Sequence, residues 1–372
     1  MRTNAIYCGD CLKVLGNKVD FPDDCVDLIY LDPPFFTNKQ YEVIWKDGYE
    51  VRAFEDRWQG GIEHYIAWME PRLRECWRVL KKTGSFYMHI DQRANAHVRI
   101  LLDKLFSPNR FQNEIIWHYG LGGSSPRRFA AKHDNIYFYT KSDNWFFEPP
   151  MKPATSQRMR GQLKKWDDVW DIATINNMAT ERLGYPTQKP EALLEPIIQA
   201  SSRPGELILD AFCGCGTATA VAHRLGRRWL GIDVSPTAVK LIAERMRKLG
   251  AVGIEIVGLP KTIDELKALP PFEFQNAVIQ ILQGRVGPRK VGDLGIDGYT
   301  FEGSPIQIKQ SENVTRPVID AFESAVKRDG KTRGMVVAFS FTRGAFEEVA
   351  RARNKDGLEI ELNTVEELLK GG

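Results

Sequence analysis

Val26-Asp27-Leu28-Ile29-Tyr30-Leu31-Asp32-Pro33-Pro34-Phe35 is the stretch on which the reading of this chain turns. Its first six residues are almost all apolar and rich in strand formers, which predicts a buried strand of a parallel sheet. Asp32 then stands at the strand's carboxyl end, where open α/β sheets bind ligands. The two prolines lack N–H groups and have a fixed φ, and Pro34 pushes Pro33 towards an extended backbone. The corner is therefore stiff and offers acceptors, the Asp32 carboxylate and the Pro33 carbonyl, beside an aromatic ring. It suits a planar ring bearing an amino group: each acceptor takes one amino hydrogen, and Phe35 stacks on the ring. The plainer alternative is an Asp that starts a loop or caps a helix, as Asp-Pro often does.

A second piece lies downstream. Leu207-Ile208-Leu209-Asp210-Ala211-Phe212-Cys213-Gly214-Cys215-Gly216-Thr217-Ala218 reads as strand, glycine turn and helix start. Glycine permits positive φ and lets a ligand approach the backbone. The spacing is not the dinucleotide fingerprint. A helix over Thr219 to Leu225 and a strand over Arg228 to Ile232 follow, ending in Asp233. An acid about 20 positions past a glycine turn is placed to bond ribose hydroxyls. Near the N-terminus, Asn4 to Asp10 reads as a strand ending in Gly-Asp. Each piece alone could be an ordinary βα turn.

Together they resemble the amino-methyltransferases that alkylate the exocyclic amine of adenine or cytosine in DNA. Asp32, Pro33, Pro34 and Phe35 match that family's catalytic tetrapeptide. The loop with Asp210, Phe212, Gly214, Gly216 and Thr217 matches its F-x-G-x-G cofactor loop, Asp233 the ribose acid, and Asp10 the Gly-Asp that reaches the cofactor's adenine. Tyr185-Pro186-Thr187-Gln188-Lys189-Pro190, before a helix over Glu191 to Ser201, matches the segment that closes one side of the cofactor site. The catalytic motif precedes the cofactor loop, as in the permuted group called beta. Either half can come first in one sheet, because rejoining a chain at exposed loops is tolerated. The resemblance implies a Rossmann-like α/β sheet and S-adenosylmethionine as cofactor. It also explains the acceptors. An aromatic amine shares its lone pair with the ring, and hydrogen bonds from the amine to two oxygens favour a pyramidal nitrogen, freeing the pair for attack on a methyl sulfonium. Asp at the head of the motif points to adenine; the cytosine enzymes more often begin it with Ser. The base must leave the duplex stack to arrive.

Composition agrees. A chain of 372 residues, 43% hydrophobic, can hold two or three domains with a large core. No stretch is long and apolar enough to span a bilayer, and no signal-peptide core is present. A cytoplasmic, bacterial-type, nucleoid-associated protein is expected. Six cysteines in this length do not form a disulfide framework. Cys8/Cys11 and Cys213/Cys215 fall inside the cofactor motifs without a nearby His, so no metal is expected in the methyltransferase part.

The net charge of +3 does not by itself announce nucleic acid. Local clusters do. Trp117 to Phe129 with Lys132 and His133, then Gln157 to Trp166, interleave basic residues with aromatics and glycines, which suits phosphates and bases. In the beta group this interval holds the target-recognition region, expected here over about 120–184, with Asp134 to Lys141 as a structural strand inside it. Arg127, Arg128, Arg158 and Arg160 are the candidate contacts to double-stranded DNA. Elsewhere Tyr65 to Lys81 and Ala94 to Leu105 read as helices and Gly84 to Asp91 as a strand. His89 and Asp91 at its end read as core or capping residues that could line the site. Phe36 to Lys39 and Trp45 to Trp58 read as a loop over the base. A homodimer is weakly suggested by the family.

The methyltransferase domain is expected over 1–259 and a short linker over 260–271. Residues 272–372 then show a helix, Gly295-Ile296-Asp297-Gly298, a strand with Gln307-Ile308-Lys309, a further helix and the apolar strand Gly334 to Ser340. This resembles an Mrr-like restriction endonuclease domain of α/β type. The resemblance implies that Asp297 and Gln307 bind Mg²⁺ and that Lys309 helps activate water, with Glu273 as a helix-borne acid. A neutral Gln in the middle position weakens metal binding by charge. A protein that both methylates and cleaves DNA is one alternative; a domain that only grips DNA or a partner is the other.

Overall fold

The computed structural model describes every residue except 1, 37–38, 45–49, 57–60, 121–125, 155–156, 177–178, 180, 184–187, 283, 287–294, 301 and 372. Parts of three expected features lie outside them: the segment at Tyr185 to Thr187, parts of the loop after the Asp-Pro-Pro-Phe corner, and the residues before Gly295. The chain divides into two compact units, residues 1–41 with 54–258, and residues 42–53 with 259–372.

The first unit is built on a sheet of nine strands among the described residues. In chain order these are β1 (Ala5–Cys8), β2 (Val26–Leu31), β3 (Leu80–Ile90), β4 (Phe111–His118), β5 (His133–Thr140), β6 (Val169–Asp171), β7 (Leu207–Asp210), β8 (Arg228–Asp233) and β9 (Glu255–Val257). In space they run β6-β4-β5-β3-β2-β7-β8-β1-β9. All are parallel except β5, which runs against both neighbours. The helices are α1 (Cys11–Gly16), α2 (Gly61–Val79), α3 (Asn95–Phe106), α4 (Glu191–Ser201), α5 (Thr217–Arg224) and α6 (Pro236–Lys248).

β2 and β7 are hydrogen-bonded neighbours, with Ile208 opposite Leu28, Leu209 opposite Ile29 and Asp210 opposite Tyr30. Asp32 and Phe212 each follow two residues later. Segments some 180 positions apart in sequence thus end side by side at one carboxyl edge. From this pair, β8 and β1 extend the sheet one way and β3 the other, so the edge crevice sits where the strand order reverses. The central strands are apolar on both faces because helices cover both, and Leu28, Ile29, Leu31, Leu207 and Leu209 are fully buried.

The interval 120–184 is not a free-standing insert. β5, within it, is buried over Asp134 to Thr140 and pairs with β3. β4, just before it, was not anticipated as a strand. Trp117, read as a base-stacking aromatic, is a core residue at 3% exposure, its indole N–H donating to Ile172 O at 2.8 Å. What remains outside the sheet is the β4–β5 loop, a small antiparallel hairpin (Met151–Pro153 with Leu163–Lys165), and the segments flanking β6.

In the second unit, β10 (Arg285–Val286), β11 (Gly298–Tyr299), β12 (Pro305–Ile308), β13 (Arg333–Ala338) and β14 (Glu359–Thr364) form one sheet in that order. α7 (Ile263–Lys267), α8 (Pro271–Ile281), α9 (Arg316–Arg328), α10 (Arg343–Asp356) and α11 (Val365–Gly371) complete it. The two-residue period of a strand divides β13 between two cores. Val336 and Ala338 pack with Phe322, Val326 and Ala345 from α9 and α10, while Val337 packs with Phe274 and Val278 from α8.

Candidate active site at the carboxyl edge of the sheet

The Asp32 carboxylate leaves the end of β2 and meets the Lys189 ammonium, whose Nζ lies 2.8 and 2.6 Å from its two oxygens. Lys189 is only 8% exposed, so this is a largely desolvated pair, costly to break from either side. The same Nζ sits 4.6 Å from the centre of the Phe35 ring, within cation–π reach. The sequence assigned Lys189 to the cofactor side; in the structure its head group bonds both Asp32 oxygens beside Phe35.

The proline corner is anchored through Tyr65 on α2, whose hydroxyl donates to Pro34 O at 2.8 Å. The neighbouring Pro33 carbonyl accepts no hydrogen bond from a described residue. Phe36, next along, has φ of 60°, a conformation a bulky residue adopts only under constraint. That constraint lies immediately beside the corner, where such outliers most often serve function.

The glycine loop is fixed from three sides. Gly214 N–H donates to Asp233 Oδ2 at 2.8 Å, Cys213 N–H to Ile232 O at 3.0 Å, and Phe212 N–H to Asp210 Oδ1 at 3.1 Å. Gly216 takes φ of 75°, and a Cβ there would stand 2.8 Å from Thr219 Oγ1 and 2.9 Å from Ile242 Cγ2. Glycine is thus required by backbone and by space together. Thr217, opening α5, donates to Lys189 O at 3.3 Å, which ties the loop to the residue that grips Asp32. Arg245 on α6 adds a cross-link, donating to Cys215 O at 3.0 Å and to Glu191 Oε1 at 2.8 Å.

Two carboxyls here are shifted. Burial pushes Asp210 well above the usual carboxylate range, further raised by Asp32 and Asp233 nearby, though the Phe212 amide opposes it. Burial pushes Asp233 up to about 6, against the amides of Ser235 and Gly214. Clustered acids with displaced titration are a mark of functional sites. Asp10 has two protein partners: it caps α1 through Leu12 N–H at 2.8 Å and pairs with Arg72 Nη2 at 2.5 Å. Arg72 in turn lies 3.9 Å over the Trp68 ring, and Trp68 lies 5.9 Å from Phe212. Trp68 was not anticipated, because nothing in its local pattern separates it from the core stripe of α2.

Arg127, Arg128, Arg158 and Arg160 are all exposed. The first two lie on the loop leaving the carboxyl end of β4, the same edge as Asp32; the second two lie at a short 3₁₀ turn beside the 151–165 hairpin. In the second unit, Asp297 accepts from Gln275 Nε2 at 3.1 Å and from Ile308 N–H at 2.6 Å. Gln307 is 4% exposed, and its buried Oε1 has no hydrogen-bond partner among the described residues. Glu273 is 8% exposed on α8, and Lys309 is half-buried at the end of β12.

Comparison with known proteins agrees with this geometry. Residues 26–244 match the N6/N4 DNA methylase family and residues 266–370 the Mrr-type restriction endonuclease family. The chain belongs to the N6/N4 DNA methylases and carries an Mrr-type endonuclease domain at its C-terminal end. The type II methyltransferase M.HpaI of Haemophilus parainfluenzae is 30% identical over 248 residues, 65% of this chain and 73% of that protein. The DNA adenine methyltransferase YhdJ of Escherichia coli is 29% identical over 264 residues, 65% of this chain and 82% of that one. Among solved structures, the cytosine-N4-specific PvuII DNA methyltransferase aligns at 18% identity with a TM-score of 0.48, covering 66% of this chain and 88% of its own. No described helix is long and apolar enough to cross a membrane.

Proposed function

We propose that this DNA methylase moves a methyl group from S-adenosylmethionine to the exocyclic amine of adenine in duplex DNA. The observation that carries the reading is the adjacency of the β2 and β7 ends. It sets a carboxylate, a carbonyl that no described residue engages and an aromatic ring beside a loop with glycine-dependent backbone, the buried Asp210 and the half-buried Asp233. The donor set fits the cofactor's chemistry: Asp233 has lone pairs left for a diol, and Asp10 and Trp68 can border a purine. Bound there, the cofactor supplies an electrophilic methyl group. This chain's own residues do the rest. Phe35 stacks on the extruded base. Asp32 and the Pro33 carbonyl accept the two amino hydrogens and stabilise the charge that grows on nitrogen. Lys189 keeps the Asp32 carboxylate in the plane that aims its remaining lone pairs at the amine. Arg127, Arg128, Arg158 and Arg160 contact phosphate or guanine from the recognition segments.

Adenine is favoured by the Asp that heads the motif and by the likeness to YhdJ. Single-molecule sequencing of unmethylated DNA treated with the protein and S-adenosylmethionine should show N6-methyladenine at one short sequence. N4-methylcytosine instead would overturn the choice of base, and unmodified DNA the whole reading.

A second activity is favoured by Gln307. A buried amide oxygen without a partner among the described residues, one position before the Ile308 N–H that orients Asp297, is the kind of group a hard cation takes as ligand. Asp297, Gln307 and Glu273 would hold Mg²⁺, which would supply a Lewis acid for phosphodiester hydrolysis, with Lys309 orienting the attacking water. DNA incubated with Mg²⁺ and the protein should be cut; intact DNA across many sequences would remove the proposal.

A further inference from the structure

We propose that His89, locked by Asp134 and Tyr30, is a positioning residue for the Phe35 and Asp32 pocket. The inference rests on the methyl-transfer reading of that pocket and names a residue set beneath it. His89 is fully buried at the end of β3, yet both ring nitrogens are engaged. Nδ1 lies 2.7 Å from the Tyr30 hydroxyl on β2, and Nε2 lies 3.3 Å from Asp134 Oδ2 on β5. The ring therefore bridges three adjacent strands at this edge, β2 and β3 near their carboxyl ends and β5 near its start.

The direction of each bond follows from its partner. A carboxylate only accepts, so Nε2 carries the proton and donates to Asp134. Nδ1 is then an acceptor and Tyr30 O–H donates to it. Burial holds the Tyr30 phenol above its usual range, which keeps it a donor. Burial alone would raise the Asp134 carboxyl, but the His89 bond and the Lys189 charge outweigh it and hold it low. The ring has one tautomer and one orientation.

That orientation is what the pocket uses. The imidazole packs against Phe35, ring centres 5.3 Å apart and tilted by 40°, and its Nδ1 lies 4.0 Å from Asp32 Oδ1. Trp117 closes the side with an edge contact at 5.6 Å. A base stacked on Phe35 is thus supported from below by a ring whose own angle is set by Asp134.

The test is Asp134→Asn, the same size as the wild-type side chain. The amide carries no charge and can donate as well as accept, so it no longer enforces the single imidazole tautomer or the ring angle that goes with it. The second variant is Tyr30→Phe, which keeps the ring and removes the donor. Kinetics on duplex DNA and the fluorescence of 2-aminopurine at the target position are read for each, with melting temperature and S-adenosylmethionine affinity as controls. The expected result for Asp134→Asn is a fall in kcat of about 100-fold, with both KM values within about twofold and the stacked 2-aminopurine signal altered. Tyr30→Phe should show the same pattern, less severely. A kcat within about twofold of wild type in both variants overturns the proposal. So does a loss in which kcat, cofactor affinity and melting temperature fall together, which is a packing role. Wild-type protein that transfers no methyl group would instead sink the reading of the pocket.

Discussion

The two units place similar chemistry on sheets of opposite economy. In the methylase unit the key acids stand in close company: Asp32 on Lys189, Asp210 beside Asp32, and Asp233 holding the glycine loop. In the endonuclease-like unit, Asp297 accepts from the Gln275 side chain and the Ile308 N–H among its partners, and the middle position is a neutral Gln. The first site carries its own counter-charge and is organised without help. The second buries a neutral amide oxygen that has no hydrogen-bond partner among the described residues. The difference separates a site organised around a buried ion pair from one whose middle position carries no charge.

The largest effect should come from breaking the first arrangement. Asp32→Ala removes the amine acceptor, and methyl transfer should fall by about 100- to 1,000-fold or more, measured as kcat. It also leaves Lys189 buried without its main partner, so a loss of stability of about 3–5 kcal/mol is expected in denaturant unfolding. Cofactor affinity should stay within a few-fold. If activity survives, the self-organised site is not the catalytic one and the contrast between the units fails.

Next is the response of the first unit to pH. Asp233 titrates at about 6 when folded, against an ordinary value of 3.8. The folded state therefore binds the extra proton between those values. The stability tied to this group is full below about pH 4 and is lost as pH rises through 6, by at most about 3 kcal/mol. Asp233→Asn should flatten unfolding free energy against pH within that window. An unchanged slope would show that the group is not as desolvated as its burial implies.

A smaller and more local effect is expected at Gly216. Gly216→Ala forces a Cβ into Thr219 and Ile242 at a positive φ, costing about 1–3 kcal/mol and weakening cofactor binding before it affects DNA binding. Binding isotherms for both ligands separate these outcomes. A variant that binds the cofactor normally would show that the loop tolerates a residue its geometry excludes.

The reach of the sequence differs between these features for physical reasons. Local, period-bound signals were legible: β2 as a continuous apolar run, β7 with its glycine turn, and α4 over Glu191–Ser201. Their neighbourhood followed only from a resemblance to a known order of motifs. β4 was hidden because its alternation is interrupted, leaving Ile115 and Trp117 as its only buried residues. Trp117 then looked like a nucleic-acid aromatic. Lys189 on Asp32 and His89 between Tyr30 and Asp134 were hidden for another reason. Each joins residues 45 to 157 positions apart, and no periodicity encodes which long-range partner a charge or ring nitrogen finds.

The smallest expected effect is the one that tests the separateness of the two units. Asp297→Ala removes the carboxylate that Gln275 and the Ile308 amide hold. Cleavage of DNA in Mg²⁺ should be abolished if this domain cuts. Methylation rates should not change, because the acids, the glycine loop and the proline corner all belong to residues 10–233 of the first unit. Both are read on one preparation: nicked or linear DNA on a gel, and methyl incorporation in the absence of Mg²⁺. A drop in methylation without loss of folded protein would mean that the second unit supports the first site through DNA. The two sites would then be two parts of a single machine.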